Sequence, residues 1–138
     1  MPKTTSDCDW CATDPTTGRF VSLSQRSDAQ VLLQRVESLR ERGSGYVEVA
    51  RPEGPFPWLA FSFTCDKAVV HQFTAPEESF LLRGDGSMNS ELQVEVPVYE
   101  EMSSFTGDYV SDVDRALGIV MRFAMGSDPD QLGDWEVP

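Results

Sequence analysis

Cys8-Asp9-Trp10-Cys11 is the first stretch of this 138-residue chain whose residue types and spacing could do chemistry. A CxxC pair serves thiol–disulfide exchange when it stands at a strand-to-helix junction, where the helix end lowers a thiol pKa. Here it precedes any periodic element, which argues against redox catalysis. Joined by Cys65 and His71, the pair would supply three sulfurs and one imidazole, a valid tetrahedral zinc set. Only the first two have diagnostic spacing, and the other two come from different parts of one expected hairpin. The plainer expectation is a mobile tail for Cys8 and Cys11, a turn position for Cys65, and no bound metal or cofactor.

His71 is the only histidine. Acid–base work often uses histidine, but no GxSxG segment accompanies it, and on a strand it reads as a sheet-surface or half-buried residue. Glu77-Glu78 and Glu100-Glu101 are adjacent carboxylates. Neighbours on a strand point to opposite faces, so neither doublet is a glycosidase-type pair, which needs both groups on one substrate. Arg83-Gly84-Asp85 spells an adhesion tripeptide and reads as turn chemistry. There is no P-loop, dinucleotide-binding glycine pattern or EF-hand loop. No constellation demands an enzyme, and binding is the better class.

Charge is the most informative total. The chain has 23 acidic and 11 basic residues, a net −12. Residues 1–76 carry 9 acids and 8 bases, whereas residues 77–138 carry 14 acids and 3 bases. A field of this sign repels nucleic acid and anionic lipid and steers basic partners inward. No apolar run approaches the ~20 residues of a membrane helix, the N-terminus has no secretory apolar stretch, and three cysteines cannot form a full disulfide framework. The expected compartment is the reducing cytoplasm.

The elements that must position these residues follow from periodicity. Residues 1–25 read as an irregular lead-in, with Phe20, Val21 and Leu23 suited to a short edge strand. Residues 26–138 read as one domain. Ser27 suits an N-cap, with Gln30 three positions on. Val31, Leu32, Val36 and Leu39 share a stripe, and Gly43 suits the stop, so a helix is expected over 27–42. Strands are expected at 46–50, 58–64 and 68–73, the last two forming a hairpin around Cys65-Asp66-Lys67. Residues 51–57, with three prolines, read as a loop. Residues 80–83 and 92–99 read as a second strand pair, with Val94, Val96 and Val98 on one face, and a further short strand or turn surrounds Phe105. Ser111 suits the cap of a second helix whose buried stripe is Val113, Ala116, Leu117, Val120, Phe123 and Ala124, stopped at Gly126. The expected fold is α+β: an antiparallel meander of about five to six strands with two main helices on one face.

Tyr109-Val110-Ser111, a helix bearing Ala116, Val120 and Phe123, then Gly126, Ser127, Asp128, Pro129 and Trp135 together resemble the closing motif of a bacterial immunity-protein family of polymorphic toxin systems, the first-numbered Imm family. The resemblance covers roughly residues 58–138 and includes the acidic hairpin expected over 80–99. It implies a non-enzymatic protein that binds and neutralises a cognate toxin, frequently a nucleic-acid deaminase or nuclease, by occupying its basic surface. Within this motif Phe123 and Trp135 are expected to pack against the sheet, Gly126 to stop the helix and Pro129 to fix the turn after it. The expected toxin-facing residues are Glu77, Glu78, Asp85, Glu100, Glu101 and Asp108, with Tyr99 and Tyr109 as aromatic anchors. The protein would be a monomer, or a homodimer if 92–99 is an edge strand. The alternatives are an acidic module for another basic partner, or a small zinc- or thiol-dependent protein using Cys8, Cys11, Cys65 and His71.

Overall fold

The computed structural model describes residues 7–138. Asp28 caps helix α1 (Ala29–Arg42), its carboxylate accepting the Val31 N–H at 3.1 Å. Ser27, the expected cap, instead lies inside a strand that runs to Asp28, where its hydroxyl accepts the Trp10 indole N–H at 2.8 Å. Leu32, Val36 and Leu39 form the buried stripe of α1. Gly43 closes the helix at φ 106, donating to the Leu39 and Arg40 carbonyls, as its lack of a Cβ allows. Helix α2 (Val113–Ala124) buries Val113, Ala116, Leu117, Ile119, Val120, Phe123 and Ala124. Its cap is Asp112, whose carboxylate accepts the Asp114 N–H at 3.0 Å, while Ser111 lies one position earlier, paired with Ala68 in a short strand, and accepts from Arg115 at 2.6 Å.

Ten antiparallel strands accompany the two helices among the described residues: β1 (Asp7–Thr13), β2 (Phe20–Asp28), β3 (Ser44–Arg51), β4 (Gly54–Thr64), β5 (Lys67–Ala75), β6 (Glu78–Leu82), β7 (Gln93–Val98), β8 (Glu101–Thr106), β9 (Ser111–Asp112) and β10 (Trp135–Glu136). The main sheet runs β10-β6-β5-β4-β3-β1-β2, with β9 paired to β5. Strands β7 and β8 form a separate two-stranded sheet. The α+β class holds, with more strands than the sequence suggested.

Three expectations are corrected. Part of the supposed lead-in is sheet interior: β1 lies between β3 and β2, with Cys8 and Trp10 almost fully buried. Residues 1–6 of that lead-in fall outside the described residues. The proline-rich 51–57 segment is less a loop than a tight turn at Pro52-Glu53. Gly54 already pairs with Arg51, and 55–57 bulge out before Trp58 rejoins the ladder opposite Ala50. Prolines fit there because a bulged residue needs no ladder N–H. Finally, β6 does not pair with 92–99. It lies between β5 and β10, while β7 pairs with the strand that follows it, through the two-residue connection Tyr99-Glu100. A local hairpin closes with less loss of chain entropy than a pairing across the intervening loop.

The hairpin β4–β5 forms as expected, from Trp58 opposite Phe73 to Thr64 opposite Lys67, with Cys65 at φ 55 in its turn. One face of the main sheet, lined by Trp10, Val47, Val49, Leu59, Phe61, Phe63 and Val70, packs under both helices. The opposite face is only partly covered. There Val69, Leu81, Val96 and Val110 form a second, smaller core beneath the β7–β8 hairpin. Beyond the hairpin that face is partly exposed, at Asp9, Glu48, Ala50, Trp58 and Phe73.

Candidate interaction surface

Strand alternation arranges this second face in rows, the first of which runs at its β5–β6 end beneath the β7–β8 hairpin. Cys11, Glu48, Ala60, His71 and Leu81 are successive cross-strand partners from β1 to β6. Asp9, Ala50, Trp58, Phe73 and Ser79 form the next row towards the end of the sheet that the hairpin leaves bare. Glu48 stands between the buried Val47 and Val49, so its side chain emerges on the opposite face from theirs.

The first row is chemically specific. One Glu48 oxygen accepts the Tyr46 hydroxyl at 2.6 Å, and the other accepts the Cys11 thiol at 3.5 Å. Burial, reinforced by this carboxylate, pushes the Cys11 thiol up to about 12, and the Tyr46 hydroxyl is likewise raised. Both donors therefore keep their protons at neutral pH. No lysine or arginine among the described residues pairs with Glu48. Asp9 differs: Arg26 grips both its oxygens, at 2.7 and 3.0 Å, and this hydrogen bonding holds its carboxyl below the usual range.

Aromatic rings flank the rows. Trp58 stacks on Phe73 with centroids 4.1 Å apart. His71 lies against Phe73 at 5.9 Å and meets Phe105 of β8 edge-on at 5.3 Å. Burial in this apolar setting lowers its pKa to about 4, so it is neutral under ordinary conditions. Between Trp58 and β2 the surface sinks into a depression of about 370 Å³.

The expected partner-facing residues divide into three groups. Glu77 and Glu78 are exposed at the β5–β6 turn, close in register to Phe73. Tyr99, Glu100 and Glu101 form the hairpin tip, where Tyr99 packs on Phe20 and Tyr46. Glu100 accepts the Phe20 N–H at 3.1 Å and lies 3.7 Å from Arg19, so it docks the hairpin as well as carrying charge. Asp85, Asp108 and Tyr109 lie in the loops between β6 and β9. Asp85 accepts the Ser87 and Asp112 N–H groups, which makes it a loop-organising residue. The Gly84 N–H donates to the Asp108 carbonyl at 2.7 Å, and a Cβ on Gly84 would lie 2.3 Å from the Val110 carbonyl oxygen. This close approach gives Gly84 its structural reason. Tyr109 donates its hydroxyl to Glu136 at 3.2 Å.

Phe123 is buried, Gly126 adopts φ 112, and the Trp135 indole N–H donates to the Pro129 carbonyl at 2.9 Å. These residues close the core behind α2.

The zinc set is not assembled. Cys8 points into the core beneath the helices, Cys11 emerges on the opposite face, Cys65 is exposed in a turn and His71 lies under the hairpin. Three positions along a strand place two side chains on opposite faces, whatever the motif suggests.

No family model matches the chain. No curated protein matches its sequence. Among the described residues, no helix is long and apolar enough to cross a membrane.

Glu48, Trp58 and Phe73 are surface features that motif reasoning missed. The available signal was an acid flanked by two valines on an apolar strand, which marks a carboxylate directed away from the core.

Proposed function

We propose that this chain is an immunity-type inhibitor, an acidic protein that binds the basic surface of a toxin domain and neutralises it by steric and electrostatic blocking. The observation carrying this reading is the state of the carboxylates. Of the 14 after residue 76, all but Glu136 are exposed. Only Glu100, Asp114 and Glu136 form ion pairs among the described residues. A surface with so much uncompensated negative charge attracts a basic groove over a Debye length, about 8–10 Å at moderate salt, and speeds encounter. Affinity would then come from a desolvated aromatic centre, for which Tyr99, Trp58 and Phe73 are available. The resemblance of the 109–135 segment to the immunity family supports the same reading, and the inhibitor role needs no catalytic group.

The test is co-expression with the product of the adjacent reading frame, scored by cell survival and co-purification. Rescue with a stoichiometric complex is expected. An association rate that falls with added salt, and that slows further in Glu77→Lys/Glu78→Lys and Glu101→Lys variants, places the acids in the encounter. A neighbouring product that is harmless alone, or that is not bound, overturns the proposal.

A further inference from the structure

We propose that the depression on the open sheet face is a receptor for a single arginine side chain of the basic partner protein, with Glu48 as its anionic floor and Trp58 as its aromatic wall. The proposal rests on the inhibitor reading for the nature of the partner, but the site is defined by its own chemistry. Cys11, Ser22, Ser24, Glu48, Pro55 and Trp58 line the depression, whose volume of about 370 Å³ suits one extended side chain rather than a folded segment. Glu48 is half-buried and carries no basic partner among the described residues. Its hydrogen bonds come from a hydroxyl and a thiol, which orient the carboxylate without supplying a counter-charge. Such a group retains acceptor capacity on each oxygen for the planar, two-pronged donor set of a guanidinium.

The surroundings favour arginine over lysine. Trp58 uses one face on Phe73, and an indole wall beside a carboxylate suits a guanidinium, which stacks and donates at once. Ser22 and Ser24 come from β2 where its register with β1 is interrupted between Val21 and Gln25, so their hydroxyls border the depression. Asp9 is the second carboxylate of the lining, and Arg26 neutralises it through two hydrogen bonds. The net charge left in the depression is therefore that of Glu48. A partner arginine inserted here would supply the missing counter-charge, and the resulting ion pair would be partly desolvated, in the setting where such contacts become hot spots.

The test uses the full chain and the capped tripeptide acetyl-Gly-Arg-Gly-amide, titrated while following backbone and indole NMR signals. Saturable shifts centred on Cys11, Glu48 and Trp58 are expected. The lysine tripeptide should bind more weakly, and affinity for the arginine tripeptide should fall about fivefold or more in Glu48→Gln. Glu41→Gln, exposed on α1 on the other side of the sheet, should leave the titration unchanged. Trp58→Leu serves as a second variant, with thermal melting to establish that each is folded. Absence of saturable shifts at these residues, or equal affinity in wild type and Glu48→Gln, overturns the receptor. Toxin rescue is scored separately in cells. Rescue without tripeptide binding leaves the inhibitor reading standing and removes this site, whereas tripeptide binding without rescue does the reverse.

Discussion

The Glu100 carboxylate accepts the backbone N–H of Phe20 at 3.1 Å, across 80 positions of sequence. The bond ties the tip of the β7–β8 hairpin to the first residue of the edge strand β2. The aromatic trio Phe20, Tyr46 and Tyr99 reinforces it, with ring centroids 5.1–5.5 Å apart. Adjacent acids of the same type thus have different work: Glu100 holds structure, whereas Glu101 is exposed without an ion-pair partner among the described residues.

Glu100→Ala should destabilise the protein by about 1 kcal/mol, the worth of a hydrogen bond to a carboxylate reduced by solvent screening at an exposed position. Amide exchange should rise first in β7 and β8. Glu101→Ala should change stability by less than about 0.5 kcal/mol. Urea unfolding and hydrogen exchange of the two variants check the division.

His71 should make stability depend on pH. An unfolded imidazole titrates near 6.5, whereas burial lowers His71 to about 4 in the fold. Between those values the unfolded chain binds more protons than the native one. Stability from this group is therefore complete above about pH 6.5, falls as pH drops through the window, and levels off below about pH 4. The loss is on the order of 1–3 kcal/mol. Comparing wild type with His71→Leu at each pH cancels the common change in net charge, and the difference in unfolding free energy should follow this window.

Thiol labelling should separate the cysteines. Cys65 is exposed, whereas Cys8 and Cys11 are buried, and burial pushes their thiols up to about 11 and about 12. Neither buried group is a thiolate at pH 8, so one thiol should react quickly in the native protein and all three in denaturant. Cys65→Ser should abolish the fast phase.

The C-terminal closure should be cooperative with the core. Trp135→Phe removes the indole donor to Pro129 while keeping an aromatic ring, and about 1 kcal/mol is expected. Phe123→Ala opens a cavity among fully buried neighbours and should cost about 3–5 kcal/mol. Chemical denaturation of both variants reads these magnitudes.

Helices, the β4–β5 hairpin and the α+β class were legible because each depends on local periodicity and end signals: the Leu32/Val36/Leu39 stripe with Gly43, the Cys65-Asp66 turn, and the Val113–Phe123 stripe with Gly126. Strand β1 was not, although Cys8, Trp10 and Ala12 alternate with Asp9, Cys11 and Thr13. Its polar neighbours and its CxxC spacing suggested a tail with chemistry, and only pairing with β3 on one side and β2 on the other makes it a strand.

The amino-acid order alone determined the acidity of residues 77–138, both helices and the two-faced strands, since these follow from composition and from neighbours close along the chain. Tertiary structure decided which face of each strand stays open. It paired β7 with β8 rather than β6, set that hairpin over one part of the sheet, and left Glu48 beside Trp58 at the other. Those outcomes depend on long-range registry and on competition for sheet edges, where the energies of alternative pairings differ by little per residue and only the sum over the whole core selects one.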